Sequence, residues 1–194
     1  MPPIPTVTKA FMLICVGAFC LFQYLLPPAW QHALELWPLQ SGLFQPWQVL
    51  SYAFLHGSEM HLFFNMLGLW MFGSELERVW GGRRYVQILL ASTLSAAAVQ
   101  LLFTLLIGSL SPTVGASGAI FGLLLSFGML FPDRIIVPLF PPIPMKAKYF
   151  VAIFGGLELL LGLGGSSGVA HFAHLGGMLG AWALIRYWRG SRRR

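Results

Sequence analysis

An all-α polytopic membrane protein, a bundle of six transmembrane helices with both termini in the cytoplasm, is the fold class this sequence predicts. Three observations predict it. The chain is 57% hydrophobic and only 9% charged, with a mean hydropathy of +0.73, whereas a soluble domain carries roughly 25% charged residues. Its apolar residues gather into six runs, each near the ~20 residues that cross a hydrocarbon core. Its lysines and arginines all fall on one side of the resulting topology. At 194 residues, the chain has room for one compact membrane domain, residues 1–194, and not for two.

The first run, 10–26, stops at Pro27-Pro28. It lacks the charged start and small-residue cleavage site of a signal peptide, so it reads as a retained helix. Its Cys15 and Cys20 point in different directions on a helix and cannot easily bridge. The second run, 60–80, ends at Gly81-Gly82, and the third, 85–107, precedes Ser111-Pro112. The fourth covers 116–131. The fifth, 147–163, follows a proline cluster between Pro138 and Pro144, and the sixth, 169–188, follows Gly164-Gly165. These dipeptides are breakers between periodic segments. Helix is the state lipid allows, because isolated apolar strands would leave backbone groups unpaired. Residues 27–59 form the one large outer loop, with Trp30, Trp37, Phe44 and Trp47 among polar residues, a composition suited to the lipid–water interface.

Lys9 precedes the first run, and Arg78, Arg83 and Arg84 lie between the second and third. Arg134, Lys146 and Lys148 lie between the fourth and fifth; Arg186, Arg189 and Arg192 to Arg194 end the chain. The other connections carry none, so the basic side is the cytoplasmic one. The net charge of +6 is thus a topology signal and not a nucleic-acid footprint, and no nucleic-acid partner is expected. Glu75, Glu77, Arg78, Arg83 and Arg84 read as a solvated cytoplasmic cluster.

With this orientation the second, fourth and sixth runs all descend from the outside. His61 and Asn65, Ser117, and His174 therefore fall at similar depth in the outer part of the bilayer, and an ionisable residue inside a span is a functional candidate by default. The fourth run is short: about 16 residues cover ~24 Å against a ~30 Å core. That predicts a helix beginning below the outer surface, with Ser117 in its first turn and its free amides facing any developing oxyanion. His61 and Asn65 share a helix face, and Phe121 lies one turn below Ser117, where it can pack against an imidazole. Small residues at four-residue spacing, Gly118, Gly122 and Ser126 in the fourth run and Ala173, Gly177 and Ala181 with Gly176 and Gly180 in the sixth, predict that these two helices are neighbours. A hydroxyl flanked by Gly115 and Gly118 beside an imidazole is a nucleophile with its base. Inside a membrane, that pair points to hydrolysis of something itself in the membrane.

These pieces resemble the rhomboid family of intramembrane serine proteases: His61-Leu-Phe-Phe-Asn65 in the second run, Gly115-Ala-Ser-Gly118 in the fourth, and Ala173-His174-Leu-Gly-Gly177 leading to Gly180 in the sixth. Their order, spacing and membrane side fit, and the resemblance runs from about Trp47 to Trp188. It implies a rhomboid-like six-helix bundle and a Ser–His dyad without a third carboxylate. Ser117 would be the nucleophile and His174 the general base, with His61, Asn65 and the Ser117 amide holding the oxyanion. One departure concerns the outer loop, where many relatives have Trp-Arg and this chain has Trp47-Gln48.

The implied activity is that of an intramembrane serine endopeptidase cutting single-span membrane proteins near their outer ends, with the lipid bilayer as its medium and no cofactor. A non-proteolytic client-binding member of the same fold is the alternative, and a small transporter a more distant one. No metal is expected: a site from His56, His61, His171 and His174 lacks a His-Glu-x-x-His pattern and an acidic partner. His56 is expected in a loop hydrogen-bond network and His171 at the hydrated end of the sixth helix. Glu158 is the odd acid within the fifth run, either protonated, facing a wet cavity, paired, or gating substrate. The compact length and absence of a targeting extension lead to an expected location in a bacterial inner (plasma) membrane.

Overall fold

A computed structural model describes residues 2–139, 141–164 and 170–191. Gly165, Val169 at the expected start of the sixth run, and Arg192 to Arg194 lie outside these residues. The described chain is mostly helical. Three helical stretches are long and apolar enough to cross a membrane by length and composition: Thr6–Leu25, Glu59–Ile107 and Ala147–Gly164.

Helix α1 (Thr6–Cys20) widens into a π turn, Leu21–Leu25, before Pro27. Its Cys15 is buried and Cys20 exposed, and neither is paired. Its first amides are satisfied from far along the sequence. The Glu77 carboxylate accepts Val7 N–H at 2.9 Å, Thr8 N–H at 2.7 Å and the Thr8 hydroxyl at 2.8 Å. A carboxylate on the free amides of a helix start is favourable both as hydrogen-bond acceptor and as charge. Glu77 is buried, so it does not belong to a solvated cluster as expected; its neighbour Glu75 does pair with Arg134 at 2.8 Å near the surface.

The outer loop folds on itself through two short helices, α2 (Pro28–His32) and α3 (Gln48–Ser51). Gln48 organises it. Its Oε1 accepts from the backbone N–H of Trp37 at 3.2 Å and of Gln45 at 3.1 Å, and its Nε2 donates to the Leu43 carbonyl at 3.2 Å. The residue that departs from the family pattern is therefore the internal anchor of the loop.

Helix α4 (Glu59–Gly68) is capped by Ser58, whose hydroxyl accepts His61 N–H at 3.2 Å. It continues through a π turn, Leu69–Gly73, into α5 (Ser74–Ile107). Within α5 the backbone leaves helical geometry at Gly81 (φ 75°, ψ 159°), the expected break between the second and third runs. Helix α6 (Ser117–Leu130) follows, then a two-residue hairpin of β1 (Ile135–Ile136) and β2 (Met145–Lys146) inside the proline-rich connector, then α7 (Ala147–Gly164) and α8 (His171–Ser191).

Helix α8 packs against both α5 and α6, and its small residues divide between them. Gly176 and Gly180 face α5: a Cβ on Gly176 would lie 2.8 Å from the Ser95 carbonyl, and one on Gly180 would collide with the Ala91 carbonyl. Gly177 faces α6, where a Cβ would collide with the Gly118 carbonyl, and a Cβ on Gly122 would lie 2.8 Å from the Gly177 carbonyl. Backbones in contact without intervening side chains are how helices associate in lipid, where no hydrophobic force drives them together. Below this crossing a core of Leu69, Leu76, Tyr85, Ile88, Leu123 and Phe127 closes the bundle. The basic segments meet at that end: Arg134 pairs with Glu75, Arg84 lies over Trp188, and Arg78 donates to the Pro3 carbonyl at 2.9 Å.

Candidate active site

Ser117 is the first residue of α6, and the extended segment leading to it is pinned before the helix begins. Leu36 and Thr113 exchange backbone hydrogen bonds of 3.0 Å in both directions, and Gly115 N–H donates to the Tyr52 carbonyl at 2.9 Å. Gln100 Nε2 donates to Thr113 Oγ1 at 3.2 Å, and the Tyr52 hydroxyl to the Thr93 carbonyl of α5 at 2.9 Å. The outer loop thus fixes the direction from which the chain enters α6. Gly115 has φ +127°, which L side chains rarely adopt. A Cβ there would lie 2.7 Å from Cε1 and Nε2 of His61 and 3.6 Å from Ser117 Oγ. Only a glycine fits between that imidazole and that hydroxyl.

The crossing of α6 and α8 brings His174 to Ser117. Its Nε2 lies 2.7 Å from Ser117 Oγ, and its ring stacks on Phe121, with centroids 4.3 Å apart and planes 6° apart. Phe121, one turn along α6 from Ser117, thereby holds the ring plane that aims Nε2. The hydroxyl can donate to Nε2 only when Nδ1 carries the imidazole proton, and Nδ1 lies 2.8 Å from Glu158 Oε2 on α7. The same carboxylate oxygen takes His171 Nδ1 at 2.6 Å.

His61 and Asn65 lie on the face of α4 turned to this cluster. Asn65 is buried; its Nδ2 donates to the His61 carbonyl at 2.7 Å, and its Oδ1 has no partner among the described residues. One Nδ2 hydrogen is left for a ligand. The Ser117 and Gly118 amides, at the start of α6, have no acceptor within the helix. A cavity of about 910 Å³ opens here, lined by His61, Asn65, Ser117, Phe121, His171 and His174 among others. Gln100, Thr104, Ser109, Ser111 and Thr113 also line it, and Phe64, Phe103, Ile107, Val114, Ile120 and Phe172 supply its apolar wall.

Two residues depart from the sequence expectations, and a third takes one of the alternatives open to it. His171 is buried on Glu158 and does not hydrate a helix end. His56 joins no loop network: it is buried edge-on to His61, with centroids 5.1 Å apart, and neither ring nitrogen closes a hydrogen bond with a described residue. Burial, and behind it the neighbouring His61, push His56 down to about 4, against a weaker opposing pull from the Phe54 backbone. Glu158 is the third: it is paired, and so supplies the histidines with an acidic partner. Donor atoms of Glu158, His171 and His174 lie within 4.8 Å of one another, a set able to give three ligands to a divalent cation. The 2.6 and 2.8 Å contacts are of hydrogen-bond length.

A family model for the rhomboid domain matches residues 43–190. The chain is 32% identical over 138 residues to "Rhomboid protein 1, mitochondrial" of Saccharomyces cerevisiae, covering 70% of this chain and 39% of that protein. It is 37% identical over 145 residues to "RHOMBOID-like protein 4" of Arabidopsis thaliana, covering 72% of this chain and 34% of the other. To "Rhomboid protease GlpG" of Serratia proteamaculans it is 29% identical over 185 residues, 93% of this chain and 62% of that one. The chain thus spans well under half the length of the first two relatives.

Proposed function

The chain belongs to the rhomboid family of integral membrane proteins, and from that premise we propose that it is an intramembrane serine endopeptidase. It cleaves transmembrane segments of single-span proteins near their outer ends, with Ser117 as nucleophile and His174 as general base. The observation that carries this reading is the 2.7 Å contact between Ser117 Oγ and His174 Nε2, two residues that line one cavity between the helices.

The chemistry follows from the groups around that contact. As a substrate carbonyl approaches, Ser117 Oγ bonds to its carbon and the hydroxyl proton passes to His174 Nε2. The carbonyl oxygen becomes an oxyanion, received by the Ser117 amide, the spare Nδ2 hydrogen of Asn65 and the His61 imidazole; one such donor is worth ~10²–10³ in rate. His174 returns the proton to the leaving amine. Water then enters the cavity and gives a proton to His174 as its oxygen bonds to the acyl carbon; the bond to Ser117 Oγ breaks, Oγ takes that proton back from His174, and the carboxylic acid leaves. A substrate helix must unwind first, because its carbonyls are otherwise engaged, so small or helix-weakening residues near its outer end favour cleavage.

The topology we propose has six crossings: α1, the two halves of 59–107 on either side of Gly81, α6, α7 and α8. Both termini lie on the cytoplasmic side with the clustered basic segments, in a bacterial inner membrane. Reconstitution with a panel of tagged transmembrane substrates tests the activity. Wild type cleaves, in the presence of a metal chelator as in its absence, and Ser117→Ala and His174→Ala do not. Client processing that persists in Ser117→Ala, or client binding without cleavage by wild type, contradicts the protease reading.

A further inference from the structure

We propose that Glu158 is a positioning residue for this reaction, accepting Nδ1–H of His174 on Oε2 so that Nε2 is held unprotonated and aimed at Ser117, with His171 sharing the same oxygen. The proposal rests on the reading of Ser117 and His174 as nucleophile and base.

The acid has no other evident employment. Of the six acidic residues in the chain, Glu35 pairs with His32, Glu59 accepts from Tyr24, Glu75 pairs with Arg134, Glu77 caps α1, and Asp133 pairs with Lys146 and Lys148. Glu158 alone lies within an apolar run, Gly-Leu-Glu-Leu-Leu-Leu, and among the described residues its partners are two imidazoles and no lysine or arginine. A carboxylate in such a place carries a desolvation cost that ordinary helix tethering does not require. A hydroxyl or amide would join α7 to α8 without it.

Its position meets what the base needs. His174 presents Nε2 to Ser117 at 2.7 Å and Nδ1 to Glu158 at 2.8 Å, so the imidazole bridges the two with one face covered by Phe121. A carboxylate acceptor on Nδ1 selects the tautomer that can take the serine proton and stabilises the imidazolium formed when it does. Among the described residues no other group offers this. Residues 86–107 of α5 and all of α6 contain no charged or histidine side chain, and His61, the remaining ionisable neighbour, stands on the far side against Gly115. His171, one turn before His174, gives Oε2 its second N–H and fixes the carboxylate between the two helices.

The test uses the full chain in vesicles of phospholipid, a cleavable transmembrane substrate, and Glu158→Gln, Glu158→Asp and His171→Phe. Glutamine keeps the volume and removes the charge: kcat falls ~10²–10⁴-fold with KM within about twofold, in the range seen when a serine protease loses its orienting carboxylate. Aspartate restores part of kcat. His171→Phe loosens the carboxylate but leaves His174 its acceptor, so it lowers kcat by less than Glu158→Gln does; a larger loss in His171→Phe than in Glu158→Gln would contradict the assignment. In ¹⁵N-histidine spectra of the wild-type protein, His174 is protonated on Nδ1 with a far-downfield proton, and this signal is lost in Glu158→Gln. Wild-type kcat in a folded Glu158→Gln overturns the proposal. If that variant does not fold, a wild-type spectrum showing His174 protonated on Nε2 overturns it instead. Loss of the parent reading looks different: Ser117→Ala then cleaves, or wild type does not.

Discussion

Gly115 and His61 occupy one space: a Cβ on the glycine would stand 2.7 Å from two atoms of the imidazole, on a backbone already at φ +127°. Gly115→Ala therefore both strains the backbone, at about 1–3 kcal/mol, and displaces His61 from the place proposed for the oxyanion. The expected outcome is cleavage reduced by at least ~10², with a thermal midpoint in detergent lowered only modestly. Unchanged cleavage would show that His61 has no part in the reaction.

Gly177 is the point where α8 meets α6. Gly177→Ala drives a Cβ into the Gly118 carbonyl, a backbone atom that cannot rotate away. Overpacking of this kind costs typically about 1–3 kcal/mol, and the helices part next to the Ser117–His174 contact, so stability and cleavage both fall. Gly190→Ala on the same helix meets nothing within 4 Å and serves as the control. Unfolding followed by tryptophan fluorescence separates the two variants.

Gln48 acts through an acceptor. Gln48→Ala leaves the Trp37 and Gln45 amides without Oε1, at about 1–3 kcal/mol per buried unsatisfied group. Arginine has only donors, so Gln48→Arg, although it restores the pattern of many relatives, also loosens this loop. Limited proteolysis within residues 33–48 is expected to accelerate in both. A more resistant Gln48→Arg would contradict the anchoring described.

His56 confers acid sensitivity. The folded chain keeps it neutral down to about 4, whereas the ordinary value is 6.5. Between those values the unfolded chain binds a proton that the folded chain does not. Stability is therefore fully present above 6.5 and declines as pH falls towards 4, by roughly 3 kcal/mol at 1.36 kcal/mol per unit. His56→Phe removes this contribution. Thermal midpoints measured at about pH 7 and about pH 4.5 should draw together in the variant; an identical acid shift in both proteins would contradict the assignment.

Much of this was legible in the chain itself. A serine and a histidine in separate apolar runs, with glycines at four-residue spacing beside each, carry their own packing instruction, and α6 and α8 meet along those glycines. Phe121 was readable from helix spacing alone. What the sequence concealed is pairing across long separations. Glu77 looks like one charge in a cluster, and nothing local shows that it caps a helix nearly 70 residues earlier. Glu158 lies near the end of α7 and His174 near the start of α8, so similar depth was predictable: six residues back from Gly164 is ~9 Å along α7. The rotation of α7 was not, since leucine and glycine surround Glu158 on every side and mark no face. Gln48 read as a missing arginine because its role depends on two backbone amides of a loop without periodicity.

The most direct test of the Ser117–His174 pair is covalent labelling of the membrane-embedded protein with a fluorophosphonate, followed by mapping of the modified residue. Labelling of Ser117 Oγ in wild type, abolished in Ser117→Ala and strongly reduced in His174→Ala, is the predicted result. A protein that cleaves transmembrane substrates while Ser117 stays unlabelled, or that labels equally well without His174, would contradict it.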